Sequence, residues 1–224
     1  MTPRMLRGIR KRLNPKRVHN DAVVWATLLL AFMFLMRAGE YCLHDGAGID
    51  PKRGLRGVDV APRCKGCVVG SFAGADEVVI TIRGSKTDVL NRGEVRNHFR
   101  TADSSFCVVQ ALEDLEVHSP AVFSGGQRFG PLLRWQDGSY VRRSQVAALV
   151  AEAAVSDGVA AADVGTHSLR SGGASALWVM FRDSAIVQRW GRWSSQAFQG
   201  YLWEARDGAA GVADAMSRAD LSLV

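Results

Sequence analysis

The chain has 224 residues, 47% hydrophobic and 22% charged, with a net charge of +6 from 28 basic and 22 acidic side chains. That length can bury a full core, and the composition is that of an ordinary globular protein rather than a disordered or fibrous one. Ala22 to Met36 is apolar apart from Thr27 but falls short of the roughly 20 residues a membrane helix needs. It also starts too late for a signal peptide. Four cysteines (Cys42, Cys64, Cys67, Cys107) are too few for a disulfide scaffold, so a reducing, intracellular setting is expected.

Thr2-Pro3 opens a helix, with a hydroxyl to cap it and a proline whose missing N–H costs nothing there. Met5, Ile9 and Leu13 share one stripe, so the helix is expected to reach about Leu13, where Asn14-Pro15 breaks it. Residues 1–20 hold Arg4, Arg7, Arg10, Lys11, Arg12, Lys16 and Arg17 and no acid. Such a cluster suits a polyanion, because each phosphate neutralised releases a counterion. A solvated helix face or a frayed basic terminus is the other reading of this segment.

Asn20 or Asp21 is expected to cap the apolar run as a buried helix ending near Arg37, with a short further helix over Arg37–Cys42. Residues 44–76 are glycine-rich and read as a loop with one or two short strands. Cys64 and Cys67 within it have metal-ligand spacing but no second pair. Cys42, His44 or His98 would have to complete a set, and no metal is expected. Glu40, Asp45 and Asp88 are too scattered to form a carboxylate metal site.

Glu77 to Arg83 is rich in β-branched residues and predicts a strand, Gly84 to Asp88 a turn, and Glu94 to Arg100 a returning strand. Apolar residues at 108, 111, 112 and 115 predict a helix over Ser105–Val117, and Ser139 to Val155 is alanine-rich and helical. Short helices follow at about 167–181, 184–190, 195–204 and 211–219. The fold class is therefore mainly α with a small antiparallel β-sheet.

Thr166-His167-Ser168-Leu169-Arg170 puts a histidine and an arginine three apart, on one face of a helix start. There the positive dipole end favours an anion, and the pair can hold both oxygens of one phosphate. Ser171-Gly172-Gly173-Ala174 then lets neighbouring backbone approach closely. Tyr201, downstream, offers an oxygen nucleophile.

Taken together, Met36-Arg37-Ala38-Gly39-Glu40, the Lys86 of Arg83-Gly84-Ser85-Lys86-Thr87-Asp88, His167-x-x-Arg170, Gly191-Arg192-Trp193-Ser194-Ser195 and Tyr201 resemble the catalytic half of the tyrosine recombinases, the phage-integrase family. The resemblance implies that family's catalytic-domain fold over residues 1–205, with a glycine-rich insertion at about 44–76 that accounts for the long interval between Arg37 and Lys86. It implies a tail over 206–224 whose helix docks on a neighbouring protomer.

It also implies DNA breaking and rejoining without a cofactor. Arg37, His167, Arg170 and Trp193 would hold the phosphate, Lys86 would be the general acid and Tyr201 the nucleophile. Arg192 competes with Trp193 for the family's His/Trp position, by count rather than by residue type. The Gly-Arg-Trp-Ser-Ser wording resembles recombinases of eukaryotic tyrosine-recombinase retrotransposons.

The family's N-terminal core-binding domain has no counterpart in this sequence, so the expectation is either a catalytic-domain fragment or a missing half supplied by a separate domain or protein. The expected assembly is a homotetramer on DNA, in the nucleus of a eukaryote or the cytoplasm of a bacterium. A catalytically decayed DNA-binding module and a type IB topoisomerase-like enzyme are the alternatives.

Overall fold

A computed structural model describes residues 1–46, 54–84 and 93–201. The helices are α1 (Pro3–Arg10), α2 (His19–Met33), α3 (Ala38–Tyr41), α4 (Val108–His118), α5 (Arg143–Ser156), α6 (His167–Phe181) and α7 (Ser184–Gly191). The strands are β1 (Val60–Cys64), β2 (Cys67–Val68), β3 (Glu77–Ile82) and β4 (Glu94–Phe99), with short 3-10 turns between elements. The predicted class holds: helices around one small antiparallel sheet. The helix expected near 211–219 and the turn carrying Lys86 lie outside the described residues. Among the described residues no helix is long and apolar enough to cross a membrane.

The chain divides into two units, Met1–Gly173 and Ala174–Val224. The first is built around α2. From Ala22 to Phe32 every residue of this helix is buried, so it has no polar face and belongs in the centre of the core. Each of Leu28, Leu29 and Leu30, fully out of solvent, contributes about 1.5–3 kcal/mol. Phe106 is edge-on to both Trp25 and Phe32, with ring centroids 6.2 and 6.0 Å apart.

Two boundaries differ from expectation. The first helix ends at Arg10, whose Nη1 donates to the Leu13 carbonyl at 2.9 Å. The cap of α2 is Val18 rather than Asn20 or Asp21. Asp21 instead accepts the Asn14 N–H at 2.7 Å, tying down the turn between the two helices.

The sheet has the order β2-β1-β3-β4. Lys65 and Gly66 both have positive φ (50° and 79°), as the tightest hairpin turn requires, so Cys64 and Cys67 face each other across β1 and β2. Val78, Ile80 and Ile82 alternate along β3 and are fully buried. The register Val78↔His98 places His98 on that same face.

Both ends of the segment between β3 and β4 are pinned. Arg83 grips the buried Asp59 through Nε at 2.9 and 2.7 Å. Gly93 sits at φ 67°, and a Cβ there would lie only 2.8 Å from the Ile82 carbonyl oxygen.

In the second unit, Asp183 caps α7 by accepting the N–H groups of Ala185 and Ile186, at 2.8 and 3.2 Å. A 3-10 turn over Gln196–Tyr201 follows, where a helix over 195–204 was expected.

Candidate phosphate-binding site

Helix α2 ends by a chain reversal. The Phe34 N–H returns to Leu30 O at 3.1 Å and the Met36 N–H to Ala31 O at 3.0 Å, with Leu35 between them at φ 47°. This is a Schellman closure, which usually carries glycine at the left-handed position. Leucine occupies it here and is 1% exposed. The reversal turns the chain into Arg37, which begins α3.

Glu40 clamps that arginine. Its carboxylate accepts the Arg37 backbone N–H at 2.8 Å and its Nη1 at 3.3 Å. Glu40 is 2% exposed while the Arg37 side chain keeps 28% of its surface. A buried carboxylate held by backbone and guanidinium together fixes the arginine's base and leaves its fork partly open.

Helix α6 brings the second arginine to the same place. Arg170, 1% exposed, donates through Nη1 to the Leu35 carbonyl. The close seat comes from glycine: a Cβ on Gly173 would lie 2.2 Å from the Phe32 carbonyl oxygen, and one on Gly172 1.8 Å from that of Met1. A guanidinium buried at the carbonyl end of α2 meets the negative end of that helix dipole.

His167, one turn earlier on α6, is held below the usual histidine pKa by burial first, then by the positive charges of Arg170 and Arg37. Arg37 thus shares one electrostatic neighbourhood with His167 and Arg170, which lie some 130 positions further along the chain. An anion placed among them would relieve their mutual repulsion.

Trp193 and Tyr201 belong to the second unit. Helix α7 closes as α2 does: the Trp193 N–H reaches Gln188 O at 3.0 Å, and Arg192 before it is left-handed at φ 60°. Arg192 is buried, and the Trp193 ring packs on Gly191, where a Cβ would meet its Cζ3 at 1.5 Å. The Trp193 and Phe198 ring centroids are 6.2 Å apart. Tyr201 is the last residue of the turn Gln196–Tyr201.

Of the other tyrosines, Tyr41 is 5% exposed and burial pushes its phenol pKa far up, which disqualifies it as a nucleophile. Tyr140 lies beneath the Arg134 guanidinium, 5.5 Å from its ring centroid.

The N-terminal cations are partly engaged. Arg4 pairs with Asp157 at 3.0 Å, Arg7 with Asp103 at 3.5 Å, and Arg12 with Glu152. Arg10 reaches back to Leu13, while Lys11, Lys16 and Arg17 are exposed. A groove of about 530 Å³ separates α1 from α5, lined by Arg4, Arg7, Lys11 and Arg12. Surface pairs of this kind are weak.

Cys64 and Cys67 are free thiols, and no group of three or more His, Cys, Asp or Glu side chains among the described residues is arranged to hold a metal. His98, offered by the sequence as a third ligand, instead bonds the Met33 carbonyl at 2.8 Å. Cys42 is buried with its thiol pushed up to about 12, chiefly by that burial.

No protein-family model matches the chain, and no curated protein sequence does. Solved structures do. The XerH site-specific recombinase bound to its difH substrate before cleavage matches with a TM-score of 0.61 at 14% identity, over 98% of this chain and 54% of that one. The post-cleavage complex of XerH with a palindromic difH substrate gives 0.64 at 14% identity, over 97% and 52%.

The fold is that of the tyrosine-recombinase catalytic domain.

At this identity the likeness is one of backbone, and the chain spans about half the length of the recombinases it matches. Sequence reading missed two features of this candidate site, the Leu35 reversal and the His98 contact. Neither has a sequence signal, since a left-handed leucine and a half-buried strand histidine both look like ordinary residues.

Proposed function

We propose that this chain is the catalytic half of a DNA breaking-and-rejoining enzyme, a site-specific recombinase or mobile-element integrase. The observation that carries the reading is the gathering of Arg37, His167 and Arg170 around the reversal after α2, on a tyrosine-recombinase fold.

In this reading the two arginines, with fork geometry and permanent charge, hold the non-bridging oxygens of the scissile phosphate, and His167 adds a ring N–H donor. Trp193 adds an indole N–H donor. As the Tyr201 phenol oxygen attacks phosphorus its proton passes to solvent, the P–O5′ bond breaks, and Lys86 gives a proton to the leaving 5′ oxygen. The product is a 3′-phosphotyrosyl link and a 5′ hydroxyl. Rejoining reverses these steps, with the 5′ oxygen displacing the tyrosine, so no energy source is consumed.

The partner is double-stranded DNA, contacted also by the N-terminal cations, and the working assembly is a homotetramer joined through residues 206–224. The Gly191 to Ser195 wording favours the eukaryotic retrotransposon subtype, which places the protein in the nucleus; a bacterial origin would place it in the cytoplasm.

The test starts with relaxation of supercoiled plasmid, followed by trapping with nicked suicide duplexes. A denaturant-stable protein–DNA adduct that Tyr201→Phe abolishes is expected. DNA binding with no adduct would leave the decayed-module reading, and an adduct surviving Tyr201→Phe would remove the mechanism. Relaxation by monomers, with no strand exchange between duplexes, would select the topoisomerase-like alternative.

A further inference from the structure

We infer that His98, which belongs to none of the family-like motifs, is a positioning residue for the two-arginine site and acts through the last turn of α2. The inference builds on reading Arg37, His167 and Arg170 as phosphate-binding groups.

The last four carbonyls of a helix lack partners within it. In α2 the Leu30 and Ala31 carbonyls are taken by the reversal itself, from Phe34 and Met36. Phe32 O faces Gly173 of α6. Met33 O meets His98 Nε2 of β4 at 2.8 Å. A carbonyl only accepts, so His98 carries its proton on Nε2 and donates. Its ring is held from the side by Phe34, edge-on with centroids 4.6 Å apart. Sheet, helix end and α6 therefore meet on consecutive carbonyls.

The residues that follow matter for chemistry. Two positions beyond Met33, Leu35 offers its carbonyl to Arg170, and two beyond that stands Arg37. Leu35 is in a left-handed well that a leucine keeps only when its surroundings hold it there. Removing the His98 donor strips the part-buried Met33 carbonyl of this partner and frees the turn to rotate toward another. Rotation moves the Leu35 carbonyl, and with it the guanidinium of Arg170. Burial lowers the pKa of His98, consistent with a neutral ring, although its bond to Met33 acts the other way.

The test uses the full chain with inorganic tungstate as the probe, followed by calorimetry and by NMR of the Arg170 side chain. In wild type, the nitrogen shifts of His98 are expected to report the Nε2–H form. His98→Phe, which keeps the ring without the donor, should shift the Arg170 resonances and weaken tungstate about three- to tenfold, the worth of one hydrogen bond. His98→Gln, which can restore a donor, should recover both, and the loss should not add to that of Arg170→Ala.

An Nδ1–H tautomer, or equal tungstate affinity and unchanged Arg170 resonances in His98→Phe, overturns the inference. His98→Met, of similar length and without a donor, serves if the phenylalanine variant does not fold. A folded wild type that binds no tungstate at Arg170 overturns the phosphate reading instead. The tautomer and the Arg170 resonances then still decide the role of His98.

Discussion

Arg170 donates to the carbonyl of Leu35, and Leu35 holds that carbonyl in place with a backbone at φ 47°. A buried cation and a strained leucine thus depend on each other. The left-handed well costs a leucine about 1–2 kcal/mol, and its buried side chain contributes about 1.5–3 kcal/mol in return.

This relationship sets an unusual order of substitutions. Leu35→Ala loses the buried side chain and keeps the strain, whereas Leu35→Gly loses the side chain and relieves it. Both should destabilise, but glycine less than alanine by about 1 kcal/mol, the reverse of the order in a helix interior. Urea unfolding of the two variants measures it, and an alanine variant as stable as the glycine one would remove the strain argument.

Two glycines in helices make a matched pair. Gly173→Ala drives a methyl to 2.2 Å from a backbone oxygen that cannot step aside, and should cost about 1–3 kcal/mol. Gly8 in α1 is exposed, with nothing within 4 Å of a Cβ, so Gly8→Ala should stabilise by about 0.5–1 kcal/mol. Opposite shifts of the thermal midpoint are expected, and shifts of the same sign would contradict the packing described.

Three histidines give stability a pH dependence. His19 is lowered by burial and by the neighbouring His118, His98 by burial, and His167 by burial and the two arginines, all from 6.5. As pH falls through 6.5 the unfolded chain takes up protons before the folded one does. Their stabilisation is therefore complete above that value and declines toward the lower folded pKa values. Urea midpoints from pH 8 to pH 5 should fall on the acid side, and a midpoint rising with acidity would contradict these environments.

The Glu40 clamp predicts a separate loss. Glu40→Gln keeps an acceptor but removes the charge facing Arg37, and should cost about 1–3 kcal/mol, the range for hydrogen bonds to charged groups. Chemical denaturation checks it, with Glu40→Asp as a shorter carboxylate for comparison. An unchanged midpoint in the glutamine variant would mean that the buried charge contributes nothing.

Much of the fold was legible because periodicity carries it. The β-branched run of Glu77 to Ile82, the all-apolar stretch of α2 and the small-residue run of α6 each state their surroundings directly. Helix ends were less legible. Asn20 and Asp21 looked like caps, but the Asp21 carboxylate was drawn to the Asn14 N–H, a choice made by the turn's tertiary path. Within the site, Arg37, His167 and Arg170 were readable as types at intervals, and Glu40 as part of the pattern following Arg37. His98 was not, because its role depends on the Val78 register across the sheet and on a carbonyl 65 positions away.

The bare backbone at Gly172 and Gly173 also limits which sequences can adopt this helix seating. The smallest departure from glycine is a methyl, and at both places that methyl would fall on main-chain oxygen rather than on a side chain able to yield. No sequence of mild replacements leads away from such positions. Any sequence that keeps this helix seating should therefore hold glycine at both positions, however much the rest of it changes and whether or not it is active.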